Sequence, residues 1–179
     1  SAAILYRNNE KSTLGRAGII MYGLHPNAAL EVPLDLHPVL SLRSRISHIK
    51  MVEPGTCVSY GRTWTAEKPR RIATVTIGYA DGYSRALSNK GEVLVGGVRC
   101  PITGRVCMDQ LMIDVTEAPL AEIGAVVTLI GTDGTETITA DDVAGLCGTI
   151  GYEVVCGISK RVPRMFLEDG KLVHEDRLI

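Results

Sequence analysis

The fold class of this chain is decided by one stretch near its middle, Glu92-Val93-Leu94-Val95-Gly96-Gly97-Val98-Arg99-Cys100-Pro101-Ile102. Two short apolar runs flank a pair of glycines, and this is the pattern of a β-hairpin closed by a two-residue turn. We therefore predict paired strands over 92–95 and 98–102. Outward from this hairpin, the pattern of the chain remains mostly β.

Further strands are indicated on both sides of the hairpin by alternation of apolar and polar side chains and by short β-branched runs. One helix is predicted between Thr139 and Gly148. Thr139 is a typical N-cap residue with Asp142 three positions later, and the glycine at position 148 is typical of a helix C-terminus. Short strands at this spacing favour a closed or sandwiched β-domain. The predicted strands cover 38–52, 71–79, 105–108, 112–115 and 126–130, with a final hairpin over 161–173.

Composition excludes several functional classes. The 179 residues suffice for one domain, or one domain and a small part of another. The 19 basic residues are scattered among 20 acidic ones, so no nucleic-acid-binding surface is indicated. No apolar run has the length of a membrane span, and the N-terminus lacks the order of a signal peptide. The five cysteines and four histidines show no metal-ligand spacing, which favours reduced thiols, a cytoplasmic location and no metal.

The beginning of the chain does not fit the β-domain. The apolar run Ala17-Gly18-Ile19-Ile20-Met21-Tyr22-Gly23 is typical of a fully buried strand in a parallel sheet. The rest of the sequence offers this strand no parallel neighbour. We therefore expect that it either pairs with the β-domain or is the last strand of another domain. An open edge of this kind is prone to disorder, exchange or aggregation unless another surface covers it.

One tyrosine stands in a setting that suits proton transfer. Tyr60 follows a turn signal and a short strand-like run and precedes a glycine, which predicts a ring at the lip of a β-structure. A phenol titrates near pH 10, so it serves as a base at neutral pH only beside positive charge. Arg62, Arg70 and Arg71 are the candidates for that charge. Taken alone, a half-buried packing role is the stronger interpretation.

Three other segments carry possible chemistry, and each has an ordinary structural interpretation as well. Asp81, in the turn 78–85, is expected to bond local backbone amides. The loop 104–110 could surround an anion with amides and a cation, or could bury Cys107 and Met108 in the core. Arg16 with the glycine at position 18 could approach a phosphate, although this signal is very weak alone.

Taken together, the order and spacing of these motifs resemble the C-terminal portion of alanine racemases, the fold-type III pyridoxal-phosphate racemases. The resemblance covers nearly the whole chain. It implies a mainly β C-terminal domain over 31–179, preceded over 1–30 by the last strand segment of a (β/α)8 barrel whose remainder is missing. The matching motifs are Ser1-Ala2-Ala3, Arg16-Ala17-Gly18-Ile19, Tyr22-Gly23, Val58-Ser59-Tyr60-Gly61, Gly78-Tyr79-Ala80-Asp81-Gly82, Gly104-Arg105-Val106-Cys107-Met108-Asp109-Gln110, Tyr152-Glu153 and Arg161-Val162-Pro163-Arg164.

The resemblance also implies an activity and partners. Such an isomerase interconverts L- and D-alanine with pyridoxal 5'-phosphate, in the biosynthesis of D-alanine for the peptidoglycan of the cell wall. It is a cytoplasmic homodimer whose active sites are shared across the interface. Tyr60 matches the tyrosine base, acting in the site of the other subunit.

The other site residues follow from the resemblance one by one. Arg16 matches the arginine that faces the pyridine nitrogen of the cofactor. Met108 matches the residue whose backbone contacts the substrate carboxylate. The phosphate cradle matches Ser1, Gly18, Ile19 and Tyr152, and the substrate channel matches Tyr79, Arg85, Arg105 and Ile150.

One departure from the family limits these implications. The cofactor lysine of the family lies in the N-terminal barrel, and none of the lysines here has a comparable context. The chain alone is therefore expected to be inactive, as half of a longer racemase. Two alternatives remain open: a non-catalytic β-domain for interaction or dimerisation, and part of a serine racemase with a membrane domain before its barrel.

Overall fold

A seven-stranded antiparallel sheet forms the body of the protein in this computed structural model, which describes residues 4–5, 13–26 and 34–177. The strand order is β6-β5-β8-β1-β4-β7, with β9 paired to β8. The strands are β1 (Leu42–Val52), β2 (Cys57–Val58), β3 (Trp64–Thr65), β4 (Arg70–Val75), β5 (Glu92–Val95), β6 (Val98–Pro101), β7 (Leu111–Asp114), β8 (Val126–Asp133), β9 (Glu136–Ile138), β10 (Arg164–Glu168) and β11 (Lys171–Asp176). Two helices, α1 (Ala140–Cys147) and α2 (Gly151–Gly157), follow β9, and 3-10 turns cover Ile19–Tyr22, Tyr60–Arg62, Tyr79–Asp81 and Arg85–Leu87.

The sheet closes on itself. Its two end strands, β6 and β7, meet where Ile102 bridges to Ile113, and the Thr103 amide donates to the Met112 carbonyl at 2.8 Å. β1 is long enough to serve two neighbours, pairing with β8 through its first residues and with β4 through its last. The predicted closed β-domain is therefore confirmed.

Aliphatic side chains fill the interior of this closed sheet. Val75, Leu94, Leu111 and Leu129 are each completely buried, and they come from four different strands. Because aromatic residues make up only 4% of the chain, small and branched side chains supply most of the packing. The helix α1 adds Ala140 and Val143 to the same core.

The predicted hairpin is confirmed, with β5 and β6 joined by the turn at Gly96 and Gly97. The last hairpin is also confirmed, although it begins later, at Arg164. Three strand predictions need correction. The strand predicted over 38–52 begins only at Leu42. The strand predicted over 71–79 ends at Val75 and gives way to a 3-10 turn, and the segment 105–108 is an irregular loop rather than a strand.

The helix prediction is confirmed at both ends. The Thr139 hydroxyl accepts a hydrogen bond from the Asp142 amide at 3.0 Å, and the Asp142 carboxylate accepts one from the Thr139 amide at 2.8 Å. Gly148 ends α1 in the left-handed conformation. The second helix, α2, was not predicted, because its valines favour strands and no side chain caps its first turn. Packing against the core holds α2 in place.

The strand predicted over 17–23 is wrong. Residues Ile19–Tyr22 form a 3-10 turn in which Ile19 is buried in the main core, while Met21 and Tyr22 are exposed. Leu24 joins the same core, so the segment lies against the β-domain instead of presenting an open strand edge. An unbroken apolar run has no periodicity, and it therefore does not distinguish a strand from a short helix. The proposed domain boundary near residue 30 falls outside the described residues.

Within the described ranges, no helix combines the length and the apolar character that crossing a membrane requires. All five cysteines are free thiols. Cys100 is buried in the core, and this burial raises the pKa of its thiol to about 12.

Candidate active site

Tyr60 lies on a short, firmly held hairpin at the edge of the β-domain. β2 and β3 flank the 3-10 turn Tyr60–Arg62, and the Tyr60 side chain is 74% exposed. The backbone is anchored one residue earlier, where the Ser59 hydroxyl donates to the Arg105 carbonyl at 2.8 Å. A rigid turn therefore presents the phenol at the lip of a β-structure, as predicted.

The arginines expected around this phenol are engaged elsewhere. Arg70 forms an ion pair with Asp114 at 3.2 Å, and Arg71 donates to backbone carbonyls beyond β7. The Cys57 thiol shares a hydrogen bond with the Thr65 hydroxyl, and this bond, followed by the neighbouring Arg62 guanidinium, lowers the pKa of the thiol. Arg70 and Arg71, two of the three candidates for positive charge near Tyr60, are thus engaged by other groups.

The turn after β4 and the loop before β7 form one unit. The Tyr79 amide donates to the Cys107 carbonyl and the Ala80 amide to the Met108 carbonyl, each at 3.0 Å. Gly78 lies so close to this loop that a Cβ atom there would be 2.2 Å from the Cys107 carbonyl oxygen. The Asp81 carboxylate accepts the Gly78 amide at 2.8 Å, so the local bonding predicted for Asp81 is confirmed.

The loop 104–110 presents Met108 to solvent. Cys107 is buried, as a core residue should be, but the Met108 side chain is 53% exposed, so the core interpretation holds for the cysteine alone. Gly104 allows this loop to pack on the Tyr60 hairpin, because a Cβ atom at Gly104 would be 2.7 Å from the Val58 carbonyl. Three segments that the sequence spreads over 50 residues thus meet at one edge: the hairpin with Tyr60, the turn with Tyr79 and the loop with Met108.

An ion-pair network that the sequence analysis did not predict links this unit to the end of the chain. The Arg161 guanidinium contacts Asp81 at 2.8 Å and Asp109 at 2.6 Å. The hydrogen bond to Asp109 and the charge of Asp81 raise the pKa of Arg161. The signal was present in the motif 161–164, but side-chain partners 50 residues or more away are not encoded in local spacing.

The remaining candidate residues lie on short elements. Arg16 and Gly18 are exposed just before the 3-10 turn that begins at Ile19. Tyr152, at the start of α2, packs on the core cluster that includes Ile19. Ser1 lies outside the described residues. The channel candidates Arg85 and Ile150 are exposed, Tyr79 is 42% exposed and Arg105 is half-buried.

The described cofactor candidates offer positive charge and hydrogen-bond donors. Arg16 carries a permanent cation, the first amides of the turn at Ile19 have no acceptor within the turn, and the Tyr152 hydroxyl can donate. Donors of these three kinds suit a phosphate group and an electron-rich ring nitrogen. The residues present therefore fit a phosphorylated pyridine cofactor.

We predict that Gly78→Ala lowers the free energy of unfolding by about 1–3 kcal/mol, because its Cβ would overlap two backbone carbonyls that cannot move independently. The matched control is Gly145→Ala, within α1, where a Cβ meets nothing within 4 Å. This control should raise the stability by about 0.5–1 kcal/mol through helix propensity. Urea unfolding measures both changes, and a Gly78→Ala protein as stable as the original would contradict the close contact.

Comparisons with known proteins agree on one family. The family described as "Alanine racemase, C-terminal domain" matches residues 39–166. The alanine racemase of Halothermothrix orenii is 52% identical over 166 residues, which cover 93% of this chain and 44% of that protein. The alanine racemase structure of Clostridium difficile 630 superposes with a TM-score of 0.91 at 42% identity, over 99% of this chain and 46% of the other.

A further solved structure contains a cofactor. It is the alanine racemase from Bartonella henselae with covalently bound pyridoxal phosphate, with a TM-score of 0.71 and 31% identity over 79% of this chain and 38% of that one. The chain spans less than half the length of each of these proteins.

Proposed function

This chain belongs to the alanine racemase family through its C-terminal domain, and we propose that it supplies the tyrosine base with which such an enzyme interconverts L- and D-alanine. The observation that carries the proposal is the placement of Tyr60. Its phenol projects from a turn whose backbone is fixed by Ser59, and the loop that contains Met108 packs directly behind it. The half-buried packing role does not fit a side chain that is 74% exposed.

The cofactor of this site is pyridoxal 5'-phosphate, which when bound supplies an electron sink that acidifies the α-proton of the amino acid. As the family resemblance implies, Gly18, Ile19 and Tyr152, with Ser1, would hold its phosphate through hydrogen bonds. Arg16 would face the ring nitrogen. Because a guanidinium keeps its proton near neutral pH, Arg16 would not protonate that nitrogen, and the group would be a weaker electron sink.

Tyr60 takes the α-proton from one face of the bound amino acid, or returns it to that face. A base of this kind works within hydrogen-bond reach of the proton and away from bulk water. With 74% of its surface exposed, Tyr60 needs a covering surface to reach such a state. We assign that surface to the second subunit of a homodimer, in which Tyr60 completes the partner's active site.

The substrate is bound by groups of the same edge. The Met108 backbone contacts the carboxylate of the amino acid. Tyr79 lies beside Met108 through the paired turn and loop, and Arg105 lies behind the Tyr60 hairpin. With Arg85 and Ile150, these side chains form a channel that admits small amino acids. The product, D-alanine, enters peptidoglycan synthesis in the cytoplasm.

The base on the opposite face is a lysine that this chain does not contain, since no lysine here matches the family motif. A racemase needs one base on each face, and the chain provides one of them. The activity therefore requires the N-terminal part found in relatives more than twice as long. For the tests below, a hybrid enzyme joins these residues to the N-terminal part of the Halothermothrix orenii racemase.

We predict that Tyr60→Phe lowers the turnover of the hybrid enzyme about 10²–10⁴-fold, because the general base is lost while the turn is kept. Exchange of the α-proton from L-alanine should fall more than exchange from D-alanine, because the lysine still serves the other face. Rates are measured by proton exchange in heavy water. Tyr22→Phe, at another exposed tyrosine, is the control and should leave both rates unchanged. Equal losses from the two enantiomers would argue for a structural Tyr60.

We also predict that a polypeptide of these 179 residues forms no specific covalent adduct with pyridoxal phosphate. The reason is that its lysines lack the context of the cofactor lysine. After incubation with the cofactor and borohydride reduction, mass spectrometry should find no single modified lysine. A stoichiometric adduct at one position would overturn this part of the proposal.

A further inference from the structure

The segment Arg161-Val162-Pro163-Arg164 has no part in the function described so far, yet its contacts are well defined. Arg164 shapes the turn that follows α2. Its guanidinium donates to the Ile158 carbonyl at 2.9 Å, to the Val162 carbonyl at 2.6 Å and to the Ser159 carbonyl. One planar side chain thereby satisfies the carbonyls of a tight turn, which a single-point ammonium group could not match.

This turn is fixed to the turn that contains Tyr79. The Ser159 amide donates to the Asp81 carbonyl at 2.9 Å. Gly82 allows the two backbones to touch, because a Cβ atom there would lie 2.1 Å from the Gly157 carbonyl oxygen. The position of Arg161 is therefore set by backbone contacts before its own side chain is considered.

From this position Arg161 bridges two acids on two different segments. Its Nε contacts the Asp81 carboxylate at 2.8 Å, and its Nη2 contacts the Asp109 carboxylate at 2.6 Å. Asp109 directly follows Met108. Asp81 is 12% exposed, whereas Asp109 is 59% exposed, so Asp109 is the acid whose charge reaches the surrounding solvent.

We propose that Arg161 is a positioning residue for substrate binding: it holds Asp109, and with it the Met108 backbone, against the Tyr79 turn, and it neutralises Asp109. This inference rests on the proposed function, in which the Met108 backbone contacts a carboxylate. An unpaired carboxylate one residue away opposes the binding of an anionic group. Arg161 weakens that repulsion and adds a side-chain link to the backbone hydrogen bonds that join the Met108 loop to the Tyr79 turn.

Arg161 contributes to substrate binding and not to the overall stability of the fold. Arg161 is 49% exposed, and ion pairs at such positions contribute little to the free energy of unfolding. A purely structural role therefore predicts small changes in all properties. The positioning role predicts a large change in the KM for alanine with a smaller change in kcat.

The test uses the hybrid enzyme. Arg161→Ala should raise the KM for L-alanine about tenfold or more, because misplacement and repulsion act together, while kcat changes less. Arg161→Lys keeps the charge but cannot bridge both acids. Its KM should lie between that of the unsubstituted hybrid enzyme and that of the Arg161→Ala variant. Asp109→Asn should raise the KM less than Arg161→Ala, because no unpaired carboxylate is left. If Arg161→Ala does not fold, the Lys and Asn variants carry the comparison.

The matched control is Arg99→Ala. Arg99 also bridges two acids, Glu92 and Glu136, and is 43% exposed, but it lies on β6 within the β-sheet. This control should leave the KM unchanged. A hybrid enzyme without racemase activity contradicts the proposed function itself. An active hybrid in which Arg161→Ala leaves the KM unchanged, or in which Asp109→Asn raises the KM as much as Arg161→Ala, contradicts the role of Arg161 alone.

Discussion

The antiparallel pairing of β4 with β7 is the interaction on which the site depends. Val75, the last residue of β4, lies opposite Leu111, the first residue of β7, and Ile72 lies opposite Asp114. In an antiparallel pair, the end of one strand and the beginning of the other lie at the same edge of the sheet. The chain that leaves β4 and the chain that enters β7 therefore emerge side by side. The close approach of these two segments at Gly78 then places Tyr79 beside Met108.

Some of this arrangement could be predicted from the sequence because it is encoded locally. The Gly-Gly hairpin and the capping box of Thr139 with Asp142 each lie within a few residues, and both are confirmed. The errors occur where tertiary contacts decide. Ile19 and its apolar neighbours had no periodicity to distinguish a strand from a 3-10 turn, and α2 forms despite valines that favour strands. Burial against the core, and not propensity, determines both segments.

The candidate site shows the same division. The resemblance to a family supplied the names of Tyr60, Met108 and Arg16, but it said nothing about what holds them. The structure shows which contacts hold these residues in place. They are the hydrogen bond from the Ser59 hydroxyl, the close backbone contact at Gly104 and the two ion pairs of Arg161. The sequence does not show whether a given glycine lies at a close contact between two backbones or in an open turn. Sequence alone therefore could not distinguish the supporting glycines from the others.

The central claim is that the exposed phenol of Tyr60 acts in the active site of a second subunit. Mixed dimers test it most directly. Hybrid subunits with Tyr60→Phe and hybrid subunits lacking the cofactor lysine are each expected to be inactive as homodimers. When the two are unfolded together and refolded, sharing across the interface predicts that racemase activity returns, because one site of each mixed dimer combines an intact lysine with an intact Tyr60. A mixture that forms mixed dimers and stays inactive would contradict the account.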